Sequence, residues 1–271
     1  MPRFAANLTL MYTDLPLMER FEASARDGFE AVEILFPYDV PPAELNAALR
    51  HAGQTLVLFN APPGDFAQGD RGLAACAGRE DEFRRSVQQA LKVAEATGCR
   101  QIHTLIGVGD PVQDGQWMDR AAANLAHAAR AYETAGVTPL LEAINPRDMP
   151  GYLMNRQAQS HELMCRIDRP NVRMQFDFYH CQISEGDVTQ RFLHYLPHTA
   201  HVQIAGVPSR NEPDVGEVHY PHLFALMDEA GYAGWVGCEY RPADTGKDGT
   251  RKGLGWLRRE RERRAATRDT A

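Results

Sequence analysis

The chain has 271 residues, and its 29 basic and 36 acidic side chains give a formal net charge of −7 at pH 7. Apolar residues make up 44% and charged residues 24%, as in an ordinary globular protein. No apolar run approaches the roughly 18 residues of a membrane-spanning helix, and the first residues lack the long apolar stretch of a signal peptide. These features argue against a disordered or membrane-bound chain, and the acidic balance argues against nucleic acid as the main partner.

The five cysteines are scattered, and no two of them form a CxxC pair. Free thiols in a reducing cytoplasm are the simplest interpretation. The sequence also lacks a GxSxG motif and a P-loop, so we expect neither a serine nucleophile on a strained turn nor a phosphate-binding glycine loop.

Short apolar runs alternate with longer amphipathic segments from the beginning of the chain to its end. Glycines end several amphipathic segments, as Gly98 does for the helix predicted over 80–97. The predicted strands are 4–8, 31–35, 55–59, 101–105, 138–141, 172–176, 200–204 and 235–238. The predicted helices are 15–26, 41–51, 80–97, 117–133, 157–167, 188–195, 221–230 and a tail helix from Gly253.

This alternation makes eight strand–helix units with no linker between them. Regular alternation indicates a parallel sheet, and eight units in roughly 250 residues are the size of a (β/α)8 barrel. We therefore predict a single α/β barrel domain over residues 1–257, followed by a basic tail over 258–271 with a solvated helical face. A doubly wound open sheet is the alternative, but no GxGxxG motif follows the first strand.

Polar residues at the ends of the predicted strands are the first candidates for a functional site, because barrel active sites lie at the carboxyl ends of the strands. The last four strands end at Glu142, Asp177, Gln203 and Glu239, each about one strand–helix unit apart. Three carboxylates and an amide oxygen are hard ligands that suit Mg²⁺ or Mn²⁺. The alternative is that each carboxylate caps a helix or pairs with an arginine.

Other strand ends offer groups that could contact a substrate. Asn7 ends the first strand and Asn60 the third, while His180 follows Asp177 by three residues and could hydrogen-bond a substrate oxygen. His201 shares a strand face with Gln203, and we expect it to be a core histidine.

An unusually long loop follows the third strand, and long loops in compact domains are often functional. Its Arg71 and Arg79 are candidates to bind a substrate carboxylate through two parallel hydrogen bonds. A salt bridge beside a helix is the alternative for each. Arg210 and Arg241, beyond the seventh and eighth strands, are rivals for the same role.

Ten segments of the chain resemble the hydroxypyruvate isomerase family, and the similarity covers about the first 257 residues. They are RFAANL (3–8), FEAVE (29–33), FPY (36–38), PGD (63–65), GRE (78–80), LEAIN (141–145), QFDFYH (175–180), HVQIA (201–205), GEVHY (216–220) and GWVGCEY (234–240). That family is similar to the xylose-isomerase-like TIM barrels, so the resemblance implies a TIM barrel fold.

The resemblance implies a divalent-metal-dependent isomerase of hydroxypyruvate and tartronate semialdehyde. It implies that Glu142 and Glu239 are the catalytic carboxylates and that these two, with Asp177 and Gln203, are the metal ligands. A branch of the family isomerises 2-oxo-tetronates. The stretch VQIAG (202–206) resembles that branch, whereas AIN (143–145) and MPGY (149–152) resemble the hydroxypyruvate branch, so both substrates stay open.

In the expected reaction, a carboxylate moves a proton between two neighbouring carbons through an enediolate. His180 would stabilise the developing oxyanion, and Asp148 would hold a substrate hydroxyl or His180. The expected partner is a small hydroxy-oxo acid, and a homo-oligomer is left open. A metal-dependent phosphodiesterase or nuclease on the same fold is a remote alternative, disfavoured by the acidic charge and by Gln203, a poor zinc ligand. A third alternative is a homologue that binds a sugar acid without catalysing a reaction.

Overall fold

The computed structural model describes residues 2–268 of the chain, apart from the side chains of 264 and 266–268. Its strands are β1 (Arg3–Asn7), β2 (Ala31–Ile34), β3 (Thr55–Asn60), β4 (Gln101–His103), β5 (Thr138–Glu142), β6 (Arg173–Asp177), β7 (Thr199–Ile204) and β8 (Trp235–Cys238). Each strand pairs in parallel with the next, and β8 pairs with β1 to close the barrel. The predicted (β/α)8 barrel is confirmed, and the open-sheet alternative is wrong.

Helices surround this barrel and follow the strands in sequence. They are α1 (Leu17–Arg26), α2 (Pro42–Ala52), α3 (Glu80–Thr97), α4 (Trp117–Thr134), α5 (Gln157–Ile167), α6 (Phe178–Ser184), α7 (Val188–Tyr195), α8 (Tyr220–Glu229), α9 (Gly249–Gly253) and α10 (Gly255–Arg268). None of these described helices is long and apolar enough to cross a membrane.

Two short helices, α6 and α9, were not predicted from the sequence, and α6 is the one that shapes the site. It begins directly at the end of β6, where the Asp177 side chain accepts hydrogen bonds from the backbone N–H groups of Tyr179, at 2.6 Å, and His180, at 3.3 Å. Its first four residues are all buried, so the segment lacks the alternation of apolar and polar residues that reveals a surface helix.

The barrel interior has two parts of different character. At the amino-terminal end, Ala5, Ala31 and Val57 form a small apolar cluster closed by Trp235. Nearer the carboxyl ends the interior side chains are polar and fully buried, Glu33 and Gln175 among them. The main apolar core lies between the barrel and the helices, so the polar interior supports the carboxyl-terminal mouth of the barrel.

Part of the predicted basic tail lies in α10, which runs across residue 257 without a break. Trp256 and Leu257 are buried in the main core. The Arg261 guanidinium donates to the backbone oxygens of Asp27, at 3.2 Å, and Gly28, at 2.7 Å. The described part of the tail therefore packs against the barrel, while residues 269–271 lie outside the described residues.

Candidate active site

A cavity of about 220 Å³ opens at the carboxyl ends of the strands. Its charged lining consists of three carboxylates and three guanidinium groups, from Glu142, Asp148, Glu239, Arg71, Arg210 and Arg241. His180, Asn60 and His103 also line it. The cavity therefore lies where the sequence predicted a site and brings together most of the predicted residues.

Two buried carboxylate oxygens in this region lack a hydrogen-bond partner among the described residues: Oε1 of Glu142 and Oδ2 of Asp177. Asp177 uses its other oxygen to cap α6. One ligand atom from each of Glu142, Asp177 and His180 lies within 4.8 Å of the other two. Because an unsatisfied buried acceptor is costly, these oxygens are suited to a ligand that supplies positive charge, and the group could hold a metal ion.

Burial raises the pKa of all three strand-end carboxyls. It raises the pKa of Asp177 to about 6 and that of Glu239 to about 8. Burial, with the charges of Glu239 and Asp177, raises the pKa of Glu142 well above its ordinary value. At Glu142 and Glu239 the negative charge of Asp177 adds to the effect of burial.

Arg210 enters the cavity from the loop after β7 and neutralises part of this charge. Its Nη2 lies 3.2 Å from Oε1 of Glu239, and its Nη1 lies 3.1 Å from Oδ2 of Asp148. Burial alone would lower the pKa of Arg210, but the charges of Glu239 and Asp177 raise it instead. Arg210 is therefore a permanent cation held against Glu239.

Gln203 and Asn7 lie in a polar layer around Glu33, and neither is part of the cavity lining. The amide oxygen of Gln203 accepts from Nε2 of Gln175 at 2.6 Å, while its Nε2 donates to Oε2 of Glu33 at 3.1 Å. Asn7 donates to the same Glu33 oxygen at 3.3 Å. His201 is buried, as expected, and its Nε2 hydrogen-bonds the other Glu33 oxygen.

His180 is held by Asn145, a residue to which the sequence analysis gave no role of its own. Oδ1 of Asn145 accepts from the backbone N–H of Asp148 at 2.9 Å, so its Nδ2 faces Nδ1 of His180 at 2.6 Å. The backbone N–H of Asn145 also points at Nδ1, at 3.4 Å. Arg210 Nη2 also lies 3.4 Å from Nε2, but two N–H groups face Nδ1 and one of them is much closer, at 2.6 Å. We therefore assign Nδ1 as the acceptor and place the proton of the neutral ring on Nε2.

The protonation of His180 follows from its surroundings. Burial, with the charge of Arg210, lowers the pKa of His180 well below its usual value. The ring is therefore neutral at pH 7, and it presents an Nε2–H donor toward the cavity. Nε2 lies 3.7 Å from Oδ2 of Asp177 and 3.9 Å from Oε1 of Glu142. No sequence pattern marks Asn145 for this role, because the contact joins the loop after β5 to the first turn of α6, 35 residues later.

Of the remaining predicted side chains, Asn60 and Arg71 line the cavity but Arg79 does not. The Arg71 guanidinium lies 3.7 Å from the centre of the Phe66 ring. Arg79 is held outside the cavity by a bidentate pair with Asp70, both distances 2.7 Å, and by a second pair with Glu82. This is the helix-flanking salt bridge that we considered as its alternative.

The fold and the site point to one family of proteins. The sequence profile of the xylose isomerase-like TIM barrel family matches residues 21–260, and the chain belongs to that family. It is 51% identical over 260 residues to a 2-oxo-tetronate isomerase of Cupriavidus necator, covering 95% of this chain and 98% of the relative. It is 36% identical over 258 residues to the hydroxypyruvate isomerase of Escherichia coli, covering 95% and 98%. The chain is thus an isomerase.

Among solved structures, a protein of Brucella melitensis superposes with a TM-score of 0.91 at 45% sequence identity, covering 95% of this chain and 98% of that one. That protein is described as an AP endonuclease of family 2. A 3-keto-D-glucoside 4-epimerase of Escherichia coli superposes with a TM-score of 0.80 at 20% identity, which shows the shared fold alone.

Proposed function

We propose that this protein isomerises a small hydroxy-oxo acid, with 2-oxo-tetronate as its preferred substrate. The observation that carries the proposal is the pair of unpartnered buried oxygens, Glu142 Oε1 and Asp177 Oδ2. Glu142 lines the cavity together with Glu239 and His180, and Asp177 lies behind this lining, with Oδ2 3.7 Å from Nε2 of His180. The identity of 51% to a 2-oxo-tetronate isomerase, against 36% to a hydroxypyruvate isomerase, favours the four-carbon acid. Hydroxypyruvate, which the sequence motifs left open beside 2-oxo-tetronate, is the alternative substrate.

The proposed reaction exchanges the positions of a carbonyl and a hydroxyl. 2-Oxo-tetronate carries its carboxylate at C1, its carbonyl at C2 and hydroxyls at C3 and C4. A proton leaves C3, the hydroxyl proton on O3 moves to O2, and a proton is added at C2. The product has its hydroxyl at C2 and its carbonyl at C3. Hydroxypyruvate lacks C4 and would react in the same way, giving an aldehyde.

Glu142 and Glu239 are proposed to move the carbon-bound proton. They come from β5 and from the end of β8, which are not neighbours in the barrel, so the two side chains can flank a substrate. Their raised pKa values make them stronger bases than ordinary carboxylates. Arg210 holds Glu239 in place through its salt bridge.

His180 is proposed to stabilise the negative charge that develops on a substrate oxygen. Its Nε2–H is directed into the cavity because Nδ1 is occupied by Asn145. A positioned donor of this kind typically contributes about 10²–10³ in rate. Asp148 lines the same cavity and forms a salt bridge with Arg210. It is proposed to hold a substrate hydroxyl.

A divalent cation, Mg²⁺ or Mn²⁺, is proposed to bind at Glu142 and Asp177, with Glu239 and Gln203 as further ligands. The donor set fits such an ion, because two carboxylate oxygens there are buried and unpartnered among the described residues. When bound, the ion would stabilise negative charge on the substrate oxygens by several kcal/mol as a Lewis acid. With its proton on Nε2, His180 has no lone pair there for the ion, so we propose that it donates to the substrate and does not act as a ligand.

The description of the Brucella melitensis protein raises a second candidate, a metal-dependent nuclease acting on abasic DNA. The net charge of −7 opposes binding to a phosphate backbone. If the protein were such a nuclease, the metal-loaded chain would cleave an abasic duplex and would be retained on DNA in a salt-dependent way. We expect neither.

The proposed function is tested by incubating metal-stripped and Mg²⁺-loaded protein with 2-oxo-tetronate, hydroxypyruvate and an unrelated aldose. Proton NMR follows each conversion. We expect conversion by the loaded protein only, fastest for 2-oxo-tetronate and absent for the aldose. Equal rates on all three compounds, or equal rates with and without metal, would contradict the proposal.

A further inference from the structure

Four arginines of this chain are candidates to bind the carboxylate of an acid, and the structure separates them by what their guanidinium groups already contact. Arg241 follows Glu239 by two residues, is exposed and lines the cavity. Within residues 2–268, its guanidinium makes no hydrogen bond or salt bridge, so all five of its N–H donors are available.

The backbone of Arg241 is nevertheless fixed. Its N–H donates to the backbone oxygen of Arg210 at 2.9 Å, and its own backbone oxygen accepts from Nδ2 of Asn211 at 2.8 Å. The guanidinium therefore extends from a well-defined point at the cavity mouth. Holding the base of a side chain in place reduces the entropy lost when its end binds a ligand.

The other three arginines are already engaged. Arg79 lies outside the cavity in salt bridges to Asp70 and Glu82. The guanidinium of Arg210 donates to the carboxylate of Asp148 and to both the carboxylate and the backbone oxygen of Glu239. Nη1 of Arg71 donates to two backbone oxygens of its own loop, at 2.9 and 2.7 Å. Each has fewer donors left than Arg241.

The charges that line the cavity also favour a free guanidinium group for binding an acid. Its three lining carboxylates would repel an acid, and the single charge of Arg210 is shared between Asp148 and Glu239 through its salt bridges. Arg241 lines the same cavity as Glu239, which precedes it by two residues. An anion bound by Arg241 would lie beside the proposed site of proton transfer.

We propose that Arg241 binds the carboxylate of the substrate through a bidentate pair and so makes the site select acids over neutral sugars. This assignment rests on the proposed function, since it names the group that recognises the acid. A guanidinium and a carboxylate match in geometry, and the pair is stronger than one between neutral groups.

The test measures binding, with no turnover needed. Erythronate has the four carbons and carboxylate of the substrate but no carbonyl, so it cannot isomerise, and erythritol is its neutral counterpart. Calorimetry on the Mn²⁺-loaded protein should show that Arg241→Gln weakens erythronate binding by about 10- to 100-fold, the effect of losing a charged hydrogen-bonded pair. Erythritol binding should be equal in both proteins, and Arg241→Lys should fall between wild type and Arg241→Gln.

Two further variants complete the design. Arg147→Gln removes the same charge from an exposed position outside the cavity lining, and it should bind erythronate like the wild type. The proposal is overturned if Arg241→Gln binds erythronate normally, if it loses both ligands equally, or if Arg71→Gln alone shows the acid-specific loss. If wild type binds erythronate through Arg241 but does not convert 2-oxo-tetronate, the proposed function fails and the Arg241 assignment stands.

Discussion

Asp177 divides its two carboxylate oxygens between two tasks. One oxygen caps α6 and thereby places His180 on the first turn of that helix, and the other is left without a partner among the described residues. The same residue therefore positions a hydrogen-bond donor and offers a ligand to a cation. The sequence predicted Asp177 from its position at a strand end, but the division of its oxygens depends on a helix that no pattern revealed.

Asn145 determines which nitrogen of His180 carries the proton. Asn145→Asp should therefore move that proton, although the two side chains are almost equal in size. In Asn145→Asp the carboxylate would accept from Nδ1–H, which moves the proton away from Nε2 and removes the donor from the cavity. We expect kcat to fall by about 10²-fold, the value of one oxyanion donor, with an unchanged circular dichroism spectrum. Asn155→Asp, in the same loop but outside the cavity lining, is the control, and equal losses in both variants would refute the role.

At the scale of elements, the loop between β3 and α3 shows what a sequence can and cannot predict. Its length marked it as functional, and two of its side chains, Phe66 and Arg71, do line the cavity. Arg79 lies at the start of α3 and pairs with Asp70, nine residues earlier. Which of two arginines faces a cavity depends on how a loop folds back, and no local pattern encodes that.

The Asp70–Arg79 pair should make the stability of this loop depend on pH. The hydrogen bond from Arg79 lowers the pKa of Asp70, so the ionised carboxylate stabilises the folded state above the ordinary carboxyl pKa of about 4. Arg79→Ala should therefore lower the free energy of unfolding by about 1 kcal/mol at pH 7, and the difference should shrink as the pH falls below that value and Asp70 is protonated.

Urea unfolding at several pH values measures this difference. Arg84→Ala is a matched control, because Arg84 pairs with Asp81 in the same helix but both side chains are largely exposed, at 52% and 82%. Its effect should be smaller at every pH. A loss in Arg79→Ala that stays constant down to low pH would show that neither Asp70 nor Glu82, the two carboxylates that Arg79 contacts, is the stabilising partner.

At the scale of the whole molecule, the alternation of strands and helices was enough to predict the barrel. Eight apolar runs at regular spacing have few other ways to bury themselves, and closure of β8 onto β1 follows. The strand ends likewise predicted the cavity, since parallel strands bring their carboxyl ends together. The contacts of Gln203 and Asn7 with Glu33 could not be predicted, because they depend on the register across the barrel.

The proposed cation should stabilise the whole barrel, because it would bind the folded site and not the unfolded chain. At a concentration 100 times its Kd it adds about 2.7 kcal/mol to the free energy of unfolding, which is several degrees in Tm for a domain of this size. Asp177→Asn keeps an oxygen to cap α6 but loses the charged ligand, so its Tm should not rise with Mn²⁺. Differential scanning fluorimetry measures the Tm of both proteins with and without Mn²⁺. An equal rise of Tm in both would place the cation elsewhere.

The central claim is that Glu142 and Glu239 carry the proton between two carbons of an acid. The most direct measurement is kcat/KM for 2-oxo-tetronate, at saturating metal, in wild type, Glu142→Gln and Glu239→Gln. Loss of a general base or acid typically costs about 10²–10⁴ in rate, and we predict a loss of that size in each variant with the fold intact by circular dichroism. Activity near that of the wild type in either variant would contradict the account.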